Sequence, residues 1–469
     1  LICINAVSPD PDAIVVGVDR GENIMFHSRK LLGALLLTAT VAALPRAAEA
    51  VPSFSEQTGQ ACTTCHVGAF GPQLTPFGRA FKIGGYTMTG GDSWASKIPL
   101  SAMVTTSFTN TRQDQPSAPH HYDTNNNPSL DQISVFLAGR LGDYSGGFVQ
   151  LTYSGVSNSS HVDNADLRPF TTSVTLGTHE VRVGTTVNNN PTAQDPYNST
   201  FAWGFPFIQS ALAPTPAAQP MLVGAFNANT LGYTAYVWVD SALYLEAGAY
   251  TTPGGWALAR VGNDLGGQGA IAGAAPYARV AYEYQWNNQA VHAGALYMRA
   301  DVNPPTGVPF QSSGANGQDR YTDYAFDVGY QFLGDGTHIV SAQGIYVHED
   351  QQRNASGGGS FALNQVRANV AYWYQNTYGA TLGWQKSWGS LNQAYGTANG
   401  KPNSNAFIVE ADWVPFGKAS SFANPWVNLK LGVQYIAYTQ FDGGYSNYDG
   451  AGRGAGANNT LLLFAWLAF

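Results

Sequence analysis

From residue 98 to the end, segments of about ten residues alternate apolar and polar side chains, the signature of strands in a closed membrane sheet. In Val427–Tyr438, the residues Val427, Leu429, Leu431, Val433 and Tyr435 fall on one side. Asn428, Lys430, Gly432 and Gln434 fall on the other. In Gln365–Gln375 the apolar Val366, Ala368, Val370, Tyr372 and Tyr374 oppose Gln365, Arg367 and Asn369. Period two with one apolar face is strand geometry. Tyr321–Phe332 and Phe407–Phe416 repeat it. Beyond residue 50 no run reaches the roughly 18 apolar residues of a membrane helix.

The connections alternate as well. Short turns fall at Gly142–Ser145, Asp240–Ala242, Trp286–Gln289, Gly334–Gly336 and Asn376–Thr377. Long polar stretches lie between them at 109–129, 155–164, 251–276, 302–319, 350–361, 389–403 and 441–458. Seventeen segments read as strands; taking 220–227 into one long loop, 188–231, restores the alternation and leaves sixteen. One long turn, 417–426, falls on the short-turn side. Charged residues are 11% of the chain and aromatics 13%, with 53 glycines; soluble domains carry roughly 25% charge. The expectation is an all-β fold, a transmembrane outer-membrane barrel of about sixteen strands. The chain would lie in lipid with both termini on the periplasmic side. Leu461–Phe469 is apolar and ends on an aromatic, as last strands of such barrels do.

If the apolar faces meet lipid, the opposite faces line the lumen. That puts Arg140, Arg182, Glu246, Arg279, Glu283, Arg299, Asp301, Asp323, Asp327, Arg367, Glu410, Asp412 and Lys430 inside, and turns Met298 outward with Leu296 and Ala300. Mixed lumenal charge of this kind either pairs and hydrates itself or offers carboxylates to a metal ion. The formal net charge of −8 offers no basic face for nucleic acid.

The N-terminal region has a different character. Arg29-Lys30, the apolar run Leu31–Leu44 and the small-x-small site Ala48-Glu49-Ala50 read as an export signal opened by Met25. Residues 1–24 then read as an over-extended N-terminus, and 1–50 as sequence removed on export. Beyond it only Cys62 and Cys65 remain of the three cysteines. They stand in Cys62-Thr63-Thr64-Cys65-His66, where two thiols three apart can add to the two vinyl groups of a haem. The adjacent His66 then lies under the iron as proximal ligand. A structural zinc site needs four ligands, and the next histidine is His120. A redox dithiol needs a βαβ context that the flanks lack. The spacing therefore predicts one covalently attached haem c on a minimal module, 51–97, preceding a barrel over 98–469.

The distal ligand is open. Met88, in Gly84-Gly85-Tyr86-Thr87-Met88, is nearest in sequence. Met103, Met221, Met298, His120, His121, His161, His179, His292, His338 and His348 are the others, besides an open or water-bound iron.

Three strings carry a resemblance: Pro52-x-Phe54-x-x-Gln57-Thr58-Gly59, the haem motif, and Leu74-Thr75-Pro76-Phe77-Gly78-Arg79-x-Phe81-Lys82. Together with Asn189-Asn190-Pro191-Thr192-x-Gln194-Asp195 and Trp203-Gly204-Phe205-Pro206, they resemble the fused monohaem cytochrome–porins of iron-oxidising bacteria. The resemblance implies a surface protein that takes electrons from extracellular Fe(II). A periplasmic cytochrome c or blue-copper protein would be the acceptor. Conduits for other donors or acceptors, and a porin with a structural haem, are the competing expectations.

Overall fold

The structure, a computed structural model, describes residues 53–469 apart from 91–98, 119, 202, 226–227, 264–268, 304–316, 357 and 424–425. The expected export signal, 1–50, and the expected boundary at 97/98 lie outside the described residues.

Sixteen antiparallel strands close into a barrel, counted among the described residues. The first four are β1 (Leu100–Thr111), β2 (Asn127–Gly142), β3 (Ser145–Ser154) and β4 (Ser159–Leu176). Next come β5 (His179–Asn188), β6 (Leu231–Val239), β7 (Leu243–Thr251) and β8 (Ala275–Trp286). The following four are β9 (Gln289–Asn303), β10 (Asp319–Phe332), β11 (His338–Gln352) and β12 (Ser360–Tyr374). The last are β13 (Tyr378–Gly389), β14 (Ser404–Trp413), β15 (Asn428–Gln440) and β16 (Thr460–Ala468). A two-residue segment, Ala270–Ile271, continues β8 past a break and pairs with the same partner, β9. Each strand pairs with its sequence neighbours, and β1 pairs with β16 (Met103 opposite Ala468, Thr111 opposite Thr460) to close the ring. Closure leaves no free edge.

The period-two reading survives at most positions. Gln365, Arg367, Asn369, Lys430 and Gln434 are buried inside, while Val370, Tyr372, Val433 and Tyr435 are exposed outside. The outward face is the apolar one, with Leu137, Phe170, Tyr233, Leu245, Tyr282, Phe326, Val328, Leu382, Phe407 and Leu463 all exposed. Every expected short turn is present, and the 188–231 stretch is one connection between β5 and β6.

Three expectations are corrected. Met298, Leu296 and Ala300 point inward and are buried (0%, 3% and 0% exposed), so Arg299 and Asp301 take the outer face. The β5–β6 connection folds into the lumen there and offers Phe201, Phe205, Met221, Leu222 and Val223 to an apolar cluster that includes these strand residues. Filler of that kind inverts the polarity of the strand facing it. Asp301 instead pairs with Arg320 at 2.7 Å, both partly exposed. Arg140 lies at the β2–β3 turn, paired with Asp143 rather than buried in the lumen. Finally, the long stretch expected at 155–164 is a tight hairpin at 155–158, because β4 already begins at Ser159.

The segment before β1 is helical: α1 (Ser53–Thr58), α2 (Cys62–Cys65) and α3 (Pro76–Ile83). Helix α3 starts where the sequence dictates. Pro76 takes the first helical position, and the Thr75 hydroxyl accepts from Gly78 N at 3.2 Å. It ends at Gly84, with Phe81 and Ile83 buried. Segment and barrel belong to one compact unit.

Candidate functional site

Helix α2 is a single turn, closed by the bond from His66 N to Cys62 O at 2.8 Å. At a spacing of three, both thiols lie on one side of that turn. Both are half-buried, and they do not form a disulfide. Burial raises the pKa of the Cys62 thiol, opposed by the nearby Ser55 and by Asn428. Burial, then the neighbouring Cys62, pushes Cys65 up to about 12. His66 leaves the helix in extended conformation (φ −120°, ψ 137°) and bridges to Leu74. Burial holds its ring down to about 4, opposed by the backbone of Gly71 and Gln73. His66 Nδ1 is buried and makes no hydrogen bond among the described residues.

The returning loop wraps the motif. Thr75 N donates to Cys65 O at 2.9 Å, and Gly78 of α3 comes so close that a Cβ there would lie 2.3 Å from Cys65 O. Only glycine permits that approach of helix to turn. Gly68, at φ +70°, lies under the ring of Trp373, where a Cβ would lie 2.3 Å from the indole. Val67 and Phe70 join Met103, Trp373, Phe464 and Trp466 in one apolar cluster, with Phe70 and Trp466 edge to face at 5.1 Å.

Polar anchors fix the segment inside the barrel at its short-turn end. Arg79 Nε donates to Glu283 Oε2 at 2.7 Å, and its Nη1 donates to both Leu74 O and Gln331 Oε1. Asn428 Nδ2 donates to Ala69 O at 2.7 Å, and Tyr86 OH to Asp166 Oδ2 at 2.7 Å. Lys82 reaches across to Ala193 O in the β5–β6 connection and lies 3.8 Å from Asp166. Gln57 Nε2 donates to the carbonyls of Tyr86 and Met88 while its Oε1 accepts from Arg140 N, each at 2.7 Å.

The two nearest candidate methionines differ. Met88 is 42% exposed, and among the described residues only its carbonyl is bonded. Met103 is buried in the wall, with Sδ accepting from Trp466 Nε1 at 3.2 Å. The remaining candidates are placed elsewhere. His120 and His121 are exposed in the β1–β2 loop, His161 is half-buried on β4, His179 bonds Asp240, His292 pairs with Asp327, His338 bonds Tyr372 and His348 bonds Asn364. Met221 and Met298 lie in the apolar cluster around the β5–β6 connection.

The donor set suits a covalent haem: two thiols on one face, the next residue's imidazole with an unsatisfied ring nitrogen, an aromatic wall, and one exposed thioether. The carboxylate route for a metal ion has less support. Arg279 pairs with Asp195 and Asp327, and Lys430 with Glu410 and Asp412. Among the described residues no three His, Cys, Asp or Glu side chains are grouped to hold a metal.

Two features went unread in the sequence. Arg79 and Lys82 stood in the haem-segment string without a role, and the β5–β6 connection looked like an external loop. Its clusters of Trp203–Ile208 and Met221–Val223 were the available signal, since solvent-exposed loops seldom carry so many large apolar residues.

No protein-family model and no curated protein sequence matches the chain. Solved structures similar to it include the outer membrane channel DcaP of Acinetobacter baumannii, at 12% identity over 79% of this chain and 96% of that one, with a TM-score of 0.45. OprB of Pseudomonas putida is similar at 12% identity, 79% and 93% coverage and a TM-score of 0.45. A loop-deletion form of the outer membrane protein OmpT of Vibrio cholerae is similar at 12% identity, 79% and 98% coverage and a TM-score of 0.41.

Proposed function

We propose that the chain is an outer-membrane β-barrel protein that carries one covalent haem c in its lumen and passes electrons across the membrane. In this reading Fe(II) outside is the donor, and a periplasmic cytochrome c or blue-copper protein is the acceptor. The observation that carries it is the placement of Cys62, Cys65 and His66 on a helical segment locked inside a closed barrel with an apolar outer face. Such a face needs lipid, and short turns on one side are the periplasmic side of such barrels. The termini would then be periplasmic.

A bound haem supplies a one-electron redox centre whose potential is tuned by its axial ligands. The chain's own residues do the rest. Cys62 and Cys65 would hold the group, His66 would present a ring nitrogen to it, and Met88 carries an exposed thioether that could serve as a further ligand. Trp373, Phe70 and Trp466 exclude water from one side. A lone Cys-x-x-Cys-His cannot build a series of haems, so the electron must leave to a soluble carrier. Oxidising Fe(II) outside also keeps insoluble Fe(III) out of the cell.

Anaerobic mixing of purified, haem-loaded protein with Fe(II) tests this: the reduced haem bands should grow within seconds to minutes. If only dithionite reduces it, across acidic and neutral pH, the Fe(II) reading fails and another donor or acceptor takes its place. A second reading, a porin with a structural haem, is favoured by the sixteen-stranded closed barrel itself. Against it, the haem segment and the β5–β6 connection occupy the lumen from its two ends. Large, steady conductance in planar bilayers would favour the porin.

A further inference from the structure

Among the described residues, buried cations in this lumen come with counter-ions, with one exception. Arg79, Lys82, Arg168, Arg279 and Lys430 each lie within 4.0 Å of a carboxylate. Arg367, on β12, is 8% exposed. Among the described residues its side chain has no ion pair and no hydrogen bond, and its Nε is buried without a partner. Its guanidinium lies over the ring of Phe205, 5.8 Å away, with the phenol of Tyr438 also nearby.

Arg367 lines a crevice with about 10 Å³ of free space, room for roughly one small solvent-sized body, partly open to solvent. The wall side carries Gln365, Gln385 and Ser387; the β5–β6 connection supplies Gln209 and Gln219. Neutral amides and hydroxyls line it, and no carboxylate does. Asp442, on the β15–β16 loop, is committed to Ala217 N at 3.0 Å.

An isolated buried charge is costly by several kcal/mol unless it is compensated. Water can hydrate the guanidinium but cannot neutralise it. We infer that this crevice binds a small inorganic monoanion of chloride size, held by Arg367 and the surrounding amide and hydroxyl donors. A monoanion fits because one guanidinium balances one charge; a divalent oxyanion would leave a net negative charge in the same buried place. The anion bridges wall and connection, so its binding stiffens the 209–219 stretch against β12 and β13. The site is independent of the haem reading.

Bromide is the probe. Crystals of the full chain grown in bromide should show an anomalous peak in contact with the Arg367 guanidinium. Amide exchange over 209–219 should be slower in chloride than in gluconate, an anion too large for the crevice. Arg367→Gln should weaken halide affinity roughly tenfold or more, the loss expected for a charge-assisted contact. If that variant does not fold, the wild-type diffraction and exchange series decide alone. The inference is overturned by bromide crystals without a peak at Arg367, or by exchange over 209–219 that is equal in the two salts.

Discussion

Arg79 of the N-terminal helical segment and Glu283 of the barrel wall are 204 residues apart and meet at 2.7 Å, with both side chains at most 5% exposed. Breaking such a pair from one side leaves the other charge stranded, at about 3–5 kcal/mol. Glu283→Gln should therefore loosen the segment, seen as faster amide exchange over 53–90 with the barrel signals unchanged. Arg79→Met combined with Glu283→Leu should recover most of the loss. Equal damage from the double variant would show that the pair is not what seats the segment.

Gly68 tests the fit against Trp373. Gly68→Ala must place a Cβ at φ +70°, which alone costs about 1–2 kcal/mol, and must also displace the indole. Unboiled migration on a detergent gel should be kept, while Trp373 fluorescence should shift towards that of a wetter ring. An unchanged emission spectrum would count against the contact.

In the proposed function, covalent haem depends on the two thiols. Cys62→Ser with Cys65→Ser should abolish haem staining of the denatured chain, and the barrel should still fold, because neither thiol touches the strand pairing. Persistent covalent haem in the double variant would refute the motif reading.

Met88 and Met103 should separate cleanly. Met88→Ala should remove the weak long-wavelength charge-transfer band of the oxidised haem and lower its potential, since a thioether ligand favours the reduced iron. Met103→Ala empties a buried site, at about 2–5 kcal/mol of stability, and should leave the band in place. The opposite pattern would move the distal ligand to the wall.

The β5–β6 connection is held by two carboxylates facing each other across β10 and β11. Leu222 N donates to Asp323 Oδ2 and Met221 N to Glu349 Oε2, each at 2.6 Å. Asp323→Ala with Glu349→Ala removes both acceptors and should release this stretch, raising single-channel conductance several-fold in planar bilayers. Unchanged conductance would mean that the apolar contacts of Phe201, Phe205 and Leu222 suffice to hold it.

What the sequence revealed followed from local rules. Gln365, Arg367 and Asn369 could be set against Val366, Ala368 and Val370 because a strand between lipid and lumen has a strict period of two. Cys62, Cys65 and His66 stood out because their spacing has one good chemical use. The orientation of Met298 was misread because the period says which residues share a face, but polarity alone had to say which face is inside. Inside the barrel that polarity is set by whatever fills the lumen, here Phe201, Phe205 and Met221 from a segment far along the chain. Arg79 with Glu283, and Lys82 with Ala193, are likewise pairings between distant segments, invisible to any short window.

A ring of sixteen strands is too wide for its own side chains to fill, and this chain fills it with more of itself. The inner wall is therefore under the constraints of a globular core. A change at Ser341 must suit Gln73, one at Asn428 must suit the Ala69 carbonyl, and one at Thr171 must leave room for Gly85. Inherited changes there should come as matched pairs from distant parts of the sequence. The lipid face is free to trade one apolar residue for another, so the two faces of a single strand should drift at different rates.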